Sequence, residues 1–463
     1  MLNFKKIHFN ISERKILLRI IDLLAVFLGL NFVAYFFDFQ YFKLQKENYY
    51  WFSIMGIYLL FFGEVYEMYD LQTASSKWKI SKSVILTASF TFVFYLLTPI
   101  FTPILPTNRI QLIYLFFSIF SSLLFWRLLY SNFFATNRFV KNVILICNIE
   151  DIEELKFDLE SADPNYKIKA FVAINNVNNS IKTLNKIKLL DIQKLETYIS
   201  KRNISEIIIA SEHTEGITNL FYNKLLQLLE SGVIIKEYVQ VYEDLTQRIP
   251  IHFMARDFYR YFPFSRRNNM LYLLSIRALD IIVSSIGILL VLVLIPFIIV
   301  GNIIGNKGSL LYSQERVGKN GVVFKIWKFR SMVKNAETNG AVFAVQNDSR
   351  ITMFGKFLRK SRADEFPQFI NILKGEMALI GPRPERPFFV NKISEEMPFY
   401  DTRHIIKPGL TGWAQINYSY GDSIEDSLIK LQYDLYYIKH RSLFMDINIV
   451  IKTFSTVLFY RGQ

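Results

Sequence analysis

Five apolar runs limit what this chain can fold into. Four lie early, at about Ile16 to Phe37, Trp51 to Tyr69, Val84 to Ile100 and Ile110 to Leu129, and the fifth extends from Ile281 to Ile304. A helix of roughly 20 apolar residues crosses a bilayer, whose interior satisfies no open backbone. Run length favours spans over a soluble helical domain for the first four. Their flanks set an orientation. Lys5, Lys6, Arg14, Lys15 and Arg19 surround the start of the first run; Lys77, Lys79 and Lys82 separate the second from the third; Arg127, Arg138 and Lys141 close the fourth. The loop from Thr98 to Thr107 carries no charge and three prolines, and Asp38 and Glu47 balance Lys43 and Lys46. Positive loops stay in the cytoplasm, so both ends of this bundle should face inward. The first run lacks a small-residue cleavage site and is expected to remain as an anchor.

The fifth run is flanked by cations on both sides. Arg266, Arg267 and Arg277 come before or at its start; Lys307, Arg316, Lys319, Lys325, Lys328 and Arg330 come after. Both ends therefore prefer the cytoplasm. Pro296 lies inside the run, where it removes a backbone donor and is expected to kink or break the helix. A hairpin-like helix over about residues 276–304, entering and leaving on one face, accommodates both facts. A complete fifth span, placing residues 305–463 outside, is the alternative. Arg277 and Asp280 have the spacing of an i, i+3 pair, or of two solvated surface charges.

Hydrophobic residues make up 51% of the chain and charged ones 20%, which excludes disorder. Lys and Arg number 54 against 40 Asp and Glu, a net charge of +14 that suits anionic lipids or phosphate-bearing substrates. The single cysteine, Cys147, excludes an intramolecular disulfide and a Cys-rich metal site. Little paired charge is visible in the early spans, which argues against a transporter.

Between the bundle and the fifth run, strands alternate with helices. Strands are expected at Asn142–Cys147, Ile168–Ile174, Ile204–Ala210 and Val233–Val239, and helices at Asp151–Ser161 and Thr218–Ser231, a pattern that predicts a small parallel α/β unit. Asn148-Ile149-Glu150 stands where a dinucleotide fold would place its glycines, so nothing lets a backbone approach a pyrophosphate. The unit reads as a structural or oligomerisation domain, with a homodimer expected. Residues 246–270 read as a linker; there Arg256, Arg260, Arg266 and Arg267 alternate with aromatics, as on a membrane surface or in a solvated loop.

The chemistry-bearing residues follow. Arg316, Lys319, Lys325, Lys328, Arg330 and Lys334 cluster around one acid, Glu315, and suit either anionic lipid or a diphosphate. Phe366, Phe369, Ile370 and Leu373 mark a helix face, with Gly375 at its C-terminal end. Asp364 and Glu365 then sit at that helix's N-terminus. Capping explains them, since Ser361-x-x-Asp364 resembles a capping box. The surrounding Arg359, Lys360 and Arg362 add a second reading, in which adjacent carboxylates hold Mg²⁺ or attack phosphorus while the cations take phosphate oxygens. Three prolines stiffen Gly381–Pro387, which presents Arg383 and Arg386. His404 reads as structural, without a Ser or Cys partner.

In order, Ile276–Ser284 with Pro296, Gln314–Gly318, Lys325–Met332, Asp364–Gln368 with Asn371–Gly375, Gly381–Pro384, Lys407–Gln415, and Leu431–Lys439 with Asp446 resemble the monotopic polyprenyl-phosphate phosphoglycosyl transferases, the bacterial sugar transferase family. The resemblance covers about residues 271–463. Departures occur at Gly308–Leu311, where the family commonly has Pro-Gly-Pro, and at Ser361-Arg362-Ala363, where it has Thr-Ser-Leu.

The resemblance implies transfer of a sugar 1-phosphate from a UDP-sugar to undecaprenyl phosphate in the bacterial inner membrane. UMP would leave, and polysaccharide assembly would begin. It implies Asp364 as a nucleophile forming a phosphosugar adduct, Glu365 as its partner, and both at Mg²⁺. Arg359, Arg316, Lys328, Arg330 and Arg383 are the expected substrate-binding cations. UDP-glucose or UDP-galactose is the expected donor, and no nucleic acid is involved. The expected architecture is a membrane α-helical bundle (1–138), a Rossmann-like α/β domain without a dinucleotide fingerprint (139–245), a linker (246–270), and a mostly α monotopic catalytic domain with a re-entrant helix (271–463). Both termini would be cytoplasmic. A catalytically inactive membrane scaffold is the competing reading.

Overall fold

The computed structural model describes residues 11–37, 39–42, 49–134, 140–163, 165–174, 183–184, 187–210, 219–251, 270–306, 308–333, 348–397, 399–418 and 423–458. They divide into two compact units, Met1–Leu245 and Thr246–Gln463.

The first unit begins with helices α1 (Ile11–Phe36), α2 (Tyr49–Val65), α3 (Leu71–Ser75), α4 (Lys77–Leu97) and α5 (Ile110–Leu129). Three of these, α1, α4 and α5, are long and apolar enough to cross a membrane. The run expected to reach Tyr69 stops sooner, because α2 has 17 residues. Glu67 turns left-handed (φ 57°), and Met68 N–H donates to Gly63 O at 2.8 Å while Glu67 N–H donates to Glu64 O at 3.1 Å. This reverse pattern closes a helix C-terminus by satisfying its last carbonyls. Leu18, Val26, Leu59, Val84, Leu115 and Leu123 fill the bundle interior.

Among them lies an ion pair that corrects the expectation of little paired charge. Asp22 and Arg127 are both fully buried, with Nε 2.9 Å from Oδ1, and the guanidinium sits 5.2 Å from the centre of the Tyr69 ring. Arg19 and Glu64 form a second pair. The partners stand far apart in sequence, so no local pattern announces them.

The α/β part holds a six-stranded sheet in the order β3-β4-β2-β1-β5-β6. Its strands are β1 (Lys141–Cys147), β2 (Tyr166–Ala173), β3 (Thr183–Leu184), β4 (Ile187–Leu189), β5 (Glu206–Ile209) and β6 (Ile234–Glu237). All pairings are parallel except β3 with β4. Helices α6 (Ile152–Ala162), α7 (Leu195–Arg202) and α8 (Asn219–Glu230) connect them. Val143–Cys147 are wholly buried, as a central strand requires. The strand expected over Val233–Val239 ends at Glu237, and α9 (Tyr238–Thr246) follows, burying Tyr238, Val241 and Tyr242 at helical spacing.

The second unit is built along α10 (Met270–Gly305), a 36-residue helix that continues through Pro296 without interruption. The proline therefore does not end the helix. One stripe of α10 faces protein: Asp280, Ser284, Gly287, Ile298 and Asn302 are buried, while most other side chains are exposed and apolar. Arg277 and Asp280 do not hold each other. Arg277 donates to Ile372 O and Leu373 O, both at 2.7 Å, and Asp280 accepts from Leu379 N–H at 2.9 Å. Carbonyls at a helix end lack internal donors, so they compete well for a guanidinium. Gly287 admits the Phe369 ring, which a Cβ would meet at 2.5 Å.

The unit also holds a hairpin, β7 (Leu311–Val317) with β8 (Val323–Phe329), and helices α11 (Met353–Lys360), α12 (Gln368–Lys374), α13 (Pro387–Glu396), α14 (Trp413–Asn417), α15 (Ile424–His440) and α16 (Leu443–Leu458), of which α11 and α12 pack along α10. Two short strands, β9 (Ala378–Ile380) and β10 (Gly409–Thr411), pair in parallel. Ile249 and Ile251, expected in a linker, are buried with Val317, Phe389 and Leu431. The arginine-aromatic strip at 256–267 and Lys334 lie outside the described residues.

Candidate active site

The acid pair stands on a 3₁₀ turn, Ala363–Glu365, between α11 and α12. Arg362 enters this turn left-handed (φ 57°), a conformation that costs a non-glycine residue about 1–3 kcal/mol. The expected capping box does not form. Ser361 closes the preceding helix instead, its hydroxyl donating to Phe357 O at 2.9 Å. Asp364 and Glu365 are thus turned into the unit, each 8% exposed, rather than out at a helix end.

The two carboxylates have different surroundings. Glu365 Oε1 accepts from Arg383 Nη2 at 3.0 Å and Lys328 Nζ at 3.4 Å, and Arg362 stands 3.7 Å from Oε2. Asp364 accepts no hydrogen bond from the described residues. Burial and the adjacent Glu365 charge push its carboxyl up to about 6, against the pull of Lys328, Arg359 and Arg362. Arg383, Lys328 and Arg362 outweigh burial at Glu365 and hold it well below the usual carboxylate range. One acid is locked as an anion and its neighbour is left unengaged.

Each cation has a local cause. Lys328 shares a strand face with Phe324 and Ile326, two residues apart, so the alternation of β8 carries it inward. Arg359 lies in the last turn of α11, its Nε donating to Ser331 Oγ at 3.0 Å. Arg383 comes from the loop after β9.

Of the five cations expected at substrate, Lys328, Arg359 and Arg383 surround the acids. Arg316 and Arg330 do not. Arg316 is turned onto the loop, donating to Pro384 O at 3.0 Å and Gln314 Oε1 at 2.8 Å. Arg330 is held by Ser309, whose hydroxyl is 2.6 Å from Nη2, and stacks over Tyr312. His404 packs against Tyr400, with its Nδ1 3.7 Å from Asp401, and burial lowers its pKa to about 4.

Within the motif piece Asn371–Gly375, the contacts of Asn371 emerge only from the structure. Fully buried, it donates to Lys325 O at 2.8 Å and Glu376 at 2.7 Å and accepts from Trp327 N–H at 3.2 Å. It ties the helix after the acid pair to the strand of Lys328.

Among the described residues there is no group of three or more acids, histidines or cysteines that would cage a metal. Mg²⁺ needs no such cage. It is commonly bound by one or two carboxylates, with water and substrate phosphate completing the shell. The oxygen donors of Asp364 and Glu365 fit that requirement.

The sequence pattern of the family described as bacterial sugar transferase matches residues 271–460. A UDP-N-acetylgalactosamine-undecaprenyl-phosphate N-acetylgalactosaminephosphotransferase of Aeromonas hydrophila is 50% identical over 33% of this chain and 36% of its own length. A UDP-glucose:undecaprenyl-phosphate glucose-1-phosphate transferase of Escherichia coli K12 is 38% identical over 38% of this chain and 39% of its own. A putative undecaprenyl-phosphate N-acetylgalactosaminyl 1-phosphate transferase of Bacillus subtilis is 45% identical over 28% of this chain and 74% of its own. The alignments with the first two relatives thus span well under half of those proteins.

Proposed function

Because this chain belongs to the bacterial sugar transferase family, we propose that it moves a sugar 1-phosphate from a UDP-sugar to undecaprenyl phosphate, as a first membrane step of polysaccharide assembly. The observation that carries this reading is the unequal acid pair: Glu365 pinned by Arg383 and Lys328, Asp364 buried and unengaged beside it.

In this reading a carboxylate oxygen of Asp364 attacks the phosphorus that bears the sugar. The bond from that phosphorus to the bridging oxygen breaks, and UMP leaves with the electron pair. A phosphate oxygen of the lipid then attacks the same phosphorus and releases the carboxylate. Two half-reactions suit substrates that arrive from different phases. A buried carboxylate is poorly solvated and readily forms the new ester. Arg359, Lys328 and Arg383 offset charge on the phosphates as it redistributes. Glu365 holds Lys328 and Arg383 in place, and their charges keep it an anion throughout. Asp364 and Glu365 would hold Mg²⁺, which supplies further neutralisation of the diphosphate when bound.

The membrane placement belongs to the same proposal. At about 1.5 Å per residue, a 36-residue helix is roughly 54 Å long, against about 30 Å of hydrocarbon. One stripe of α10 packs on protein from Asp280 to Asn302, which supports a helix held against its own unit; a bend at Pro296 short of a break would let it enter and leave the membrane on one face. Exposed Met353, Phe357, Phe388, Phe444, Ile447 and Phe454 supply further apolar surface for lipid. Cytoplasmic termini, an inner-membrane location and a homodimer complete the reading. Exposed Tyr222, Leu226 and Leu229 along α8 supply an apolar stripe for pairing.

The test is UMP release by purified protein given Mg²⁺, undecaprenyl phosphate and, in separate reactions, UDP-N-acetylgalactosamine, UDP-glucose and UDP-galactose. Release with one donor that vanishes in Asp364→Asn is expected. Release undiminished in that variant rejects the nucleophile, and no release with any donor favours an inactive scaffold.

A further inference from the structure

We propose that Arg403 and Arg316 are positioning residues that fix the loop presenting Arg383 to Glu365. The proposal rests on reading the acid pair as the reacting centre. Three consecutive carbonyls of the loop are gripped from elsewhere in the unit. Arg383 O accepts from Arg403 Nη2 at 3.1 Å, Pro384 O from Arg316 Nη1 at 3.0 Å, and Glu385 O from Val317 N–H at 2.8 Å. On the preceding residues, Pro382 O accepts from Gly409 N–H and Gly381 N–H donates to Thr411 O, both at 2.9 Å. The loop thus has no carbonyl from 382 to 385 without a donor.

The two guanidiniums come from different elements, Arg316 from β7 and Arg403 from the 3₁₀ turn Tyr400–Ile405. Arg403 is 6% exposed and is itself fixed by Asp434 Oδ2 at 2.6 Å and the Tyr400 hydroxyl at 2.7 Å. A buried charge is costly unless paired, and Asp434 supplies that pairing. Arg316 is braced by Gln314, and Glu385 lies 3.4 Å from it. Neither guanidinium touches Asp364 or Glu365. Each acts on the backbone beneath Arg383, whose own guanidinium reaches Glu365. A flexible arginine on a loose loop would meet Glu365 only part of the time; a clamped backbone removes most of that freedom. Lysine at either site keeps the charge and loses the planar fork that reaches carbonyl and carboxylate together.

The test uses the full chain in detergent or lipid nanodiscs, with UMP release followed on the donor that the wild type accepts. Arg403→Lys and Arg316→Lys are measured alone and combined with Arg383→Ala. Displacing a contributing group by about 1 Å costs up to roughly 100-fold in rate. Each lysine variant is therefore expected to lose about 10- to 100-fold in kcat/KM, and each double variant to be no worse than Arg383→Ala alone. A lysine variant that folds and keeps wild-type kcat/KM overturns the proposal. So does a penalty of equal size in the Arg383→Ala background, because a general loss of structure would act there too. Should Arg403→Lys fail to fold, Arg316→Lys carries the same comparison. Wild-type turnover in Arg383→Ala rejects the underlying reading of the site, a different outcome from either.

Discussion

Arg383 Nη2 stands 3.0 Å from Oε1 of Glu365, while Asp364, one residue earlier, accepts no hydrogen bond from the described residues. Two adjacent carboxylates would ordinarily share their surroundings. Here the pair sits on a 3₁₀ turn entered through left-handed Arg362, and only Glu365 has hydrogen-bond partners among the described residues. The cations converge on Glu365, and burial decides the state of Asp364.

This asymmetry predicts a pH dependence. With the Asp364 carboxyl pushed up to about 6 and the anion as nucleophile, kcat/KM should fall roughly tenfold per pH unit below 6. Lys328 lowers that pKa, so Lys328→Met should move the acid limb to higher pH as well as reduce the maximum. A pH profile of kcat/KM for both proteins checks this, and an unmoved or lowered limb in Lys328→Met contradicts it.

Gly381 gives a steric prediction. A Cβ there would lie 2.4 Å from Lys407 O and 2.9 Å from Gly409 N, both backbone atoms with little room to move. Gly381→Ala should displace the Arg383 loop, lower turnover by up to about 100-fold and destabilise the unit by about 1–3 kcal/mol. Steady-state kinetics beside a thermal melt would show it. Wild-type kinetics would mean the close approach is tolerated.

A third expectation concerns the bundle. Removing one partner of a buried ion pair strands the other charge, at about 3–5 kcal/mol. Asp22→Ala should therefore lower the melting temperature of the solubilised protein clearly, and Asp22→Leu with Arg127→Met should recover much of the loss. If Asp22→Ala melts like the wild type, the pair contributes nothing to the fold.

What was legible in the sequence followed periodicity and composition. Long apolar runs gave α1, α4, α5 and α10, and alternating β-rich runs gave the parallel sheet. The family resemblance, more than local chemistry, singled out Asp364, Glu365, Arg359 and Arg383, because the acid pair by itself reads equally as a helix start and the cations around Lys328 by themselves suit lipid as well as a diphosphate. Partnerships across long sequence separations stayed hidden: Asp22 with Arg127, Arg277 with the end of α12, and Arg403 with Arg383 O. Arg316 and Arg330 looked equivalent to Lys328 in a cation-rich segment. The hairpin register sets Arg316 opposite Phe324, on the same face as Lys328, so the neighbouring carbonyls that hold Arg316 and Arg330, and not the strand face, separate them from Lys328. Ser361 matched a capping pattern that the left-handed Arg362 cut off from the following helix.

The central claim, that Asp364 takes the sugar phosphate as a covalent adduct, is tested most directly by peptide mass. The protein is mixed with Mg²⁺ and its UDP-sugar without lipid phosphate, quenched with acid within a turnover, and digested. A gain of one sugar phosphate on the peptide containing Asp364, absent from Asp364→Asn and lost when undecaprenyl phosphate is added, is the predicted result. UMP release that requires the lipid phosphate from the start, with no adduct on that peptide, would contradict it.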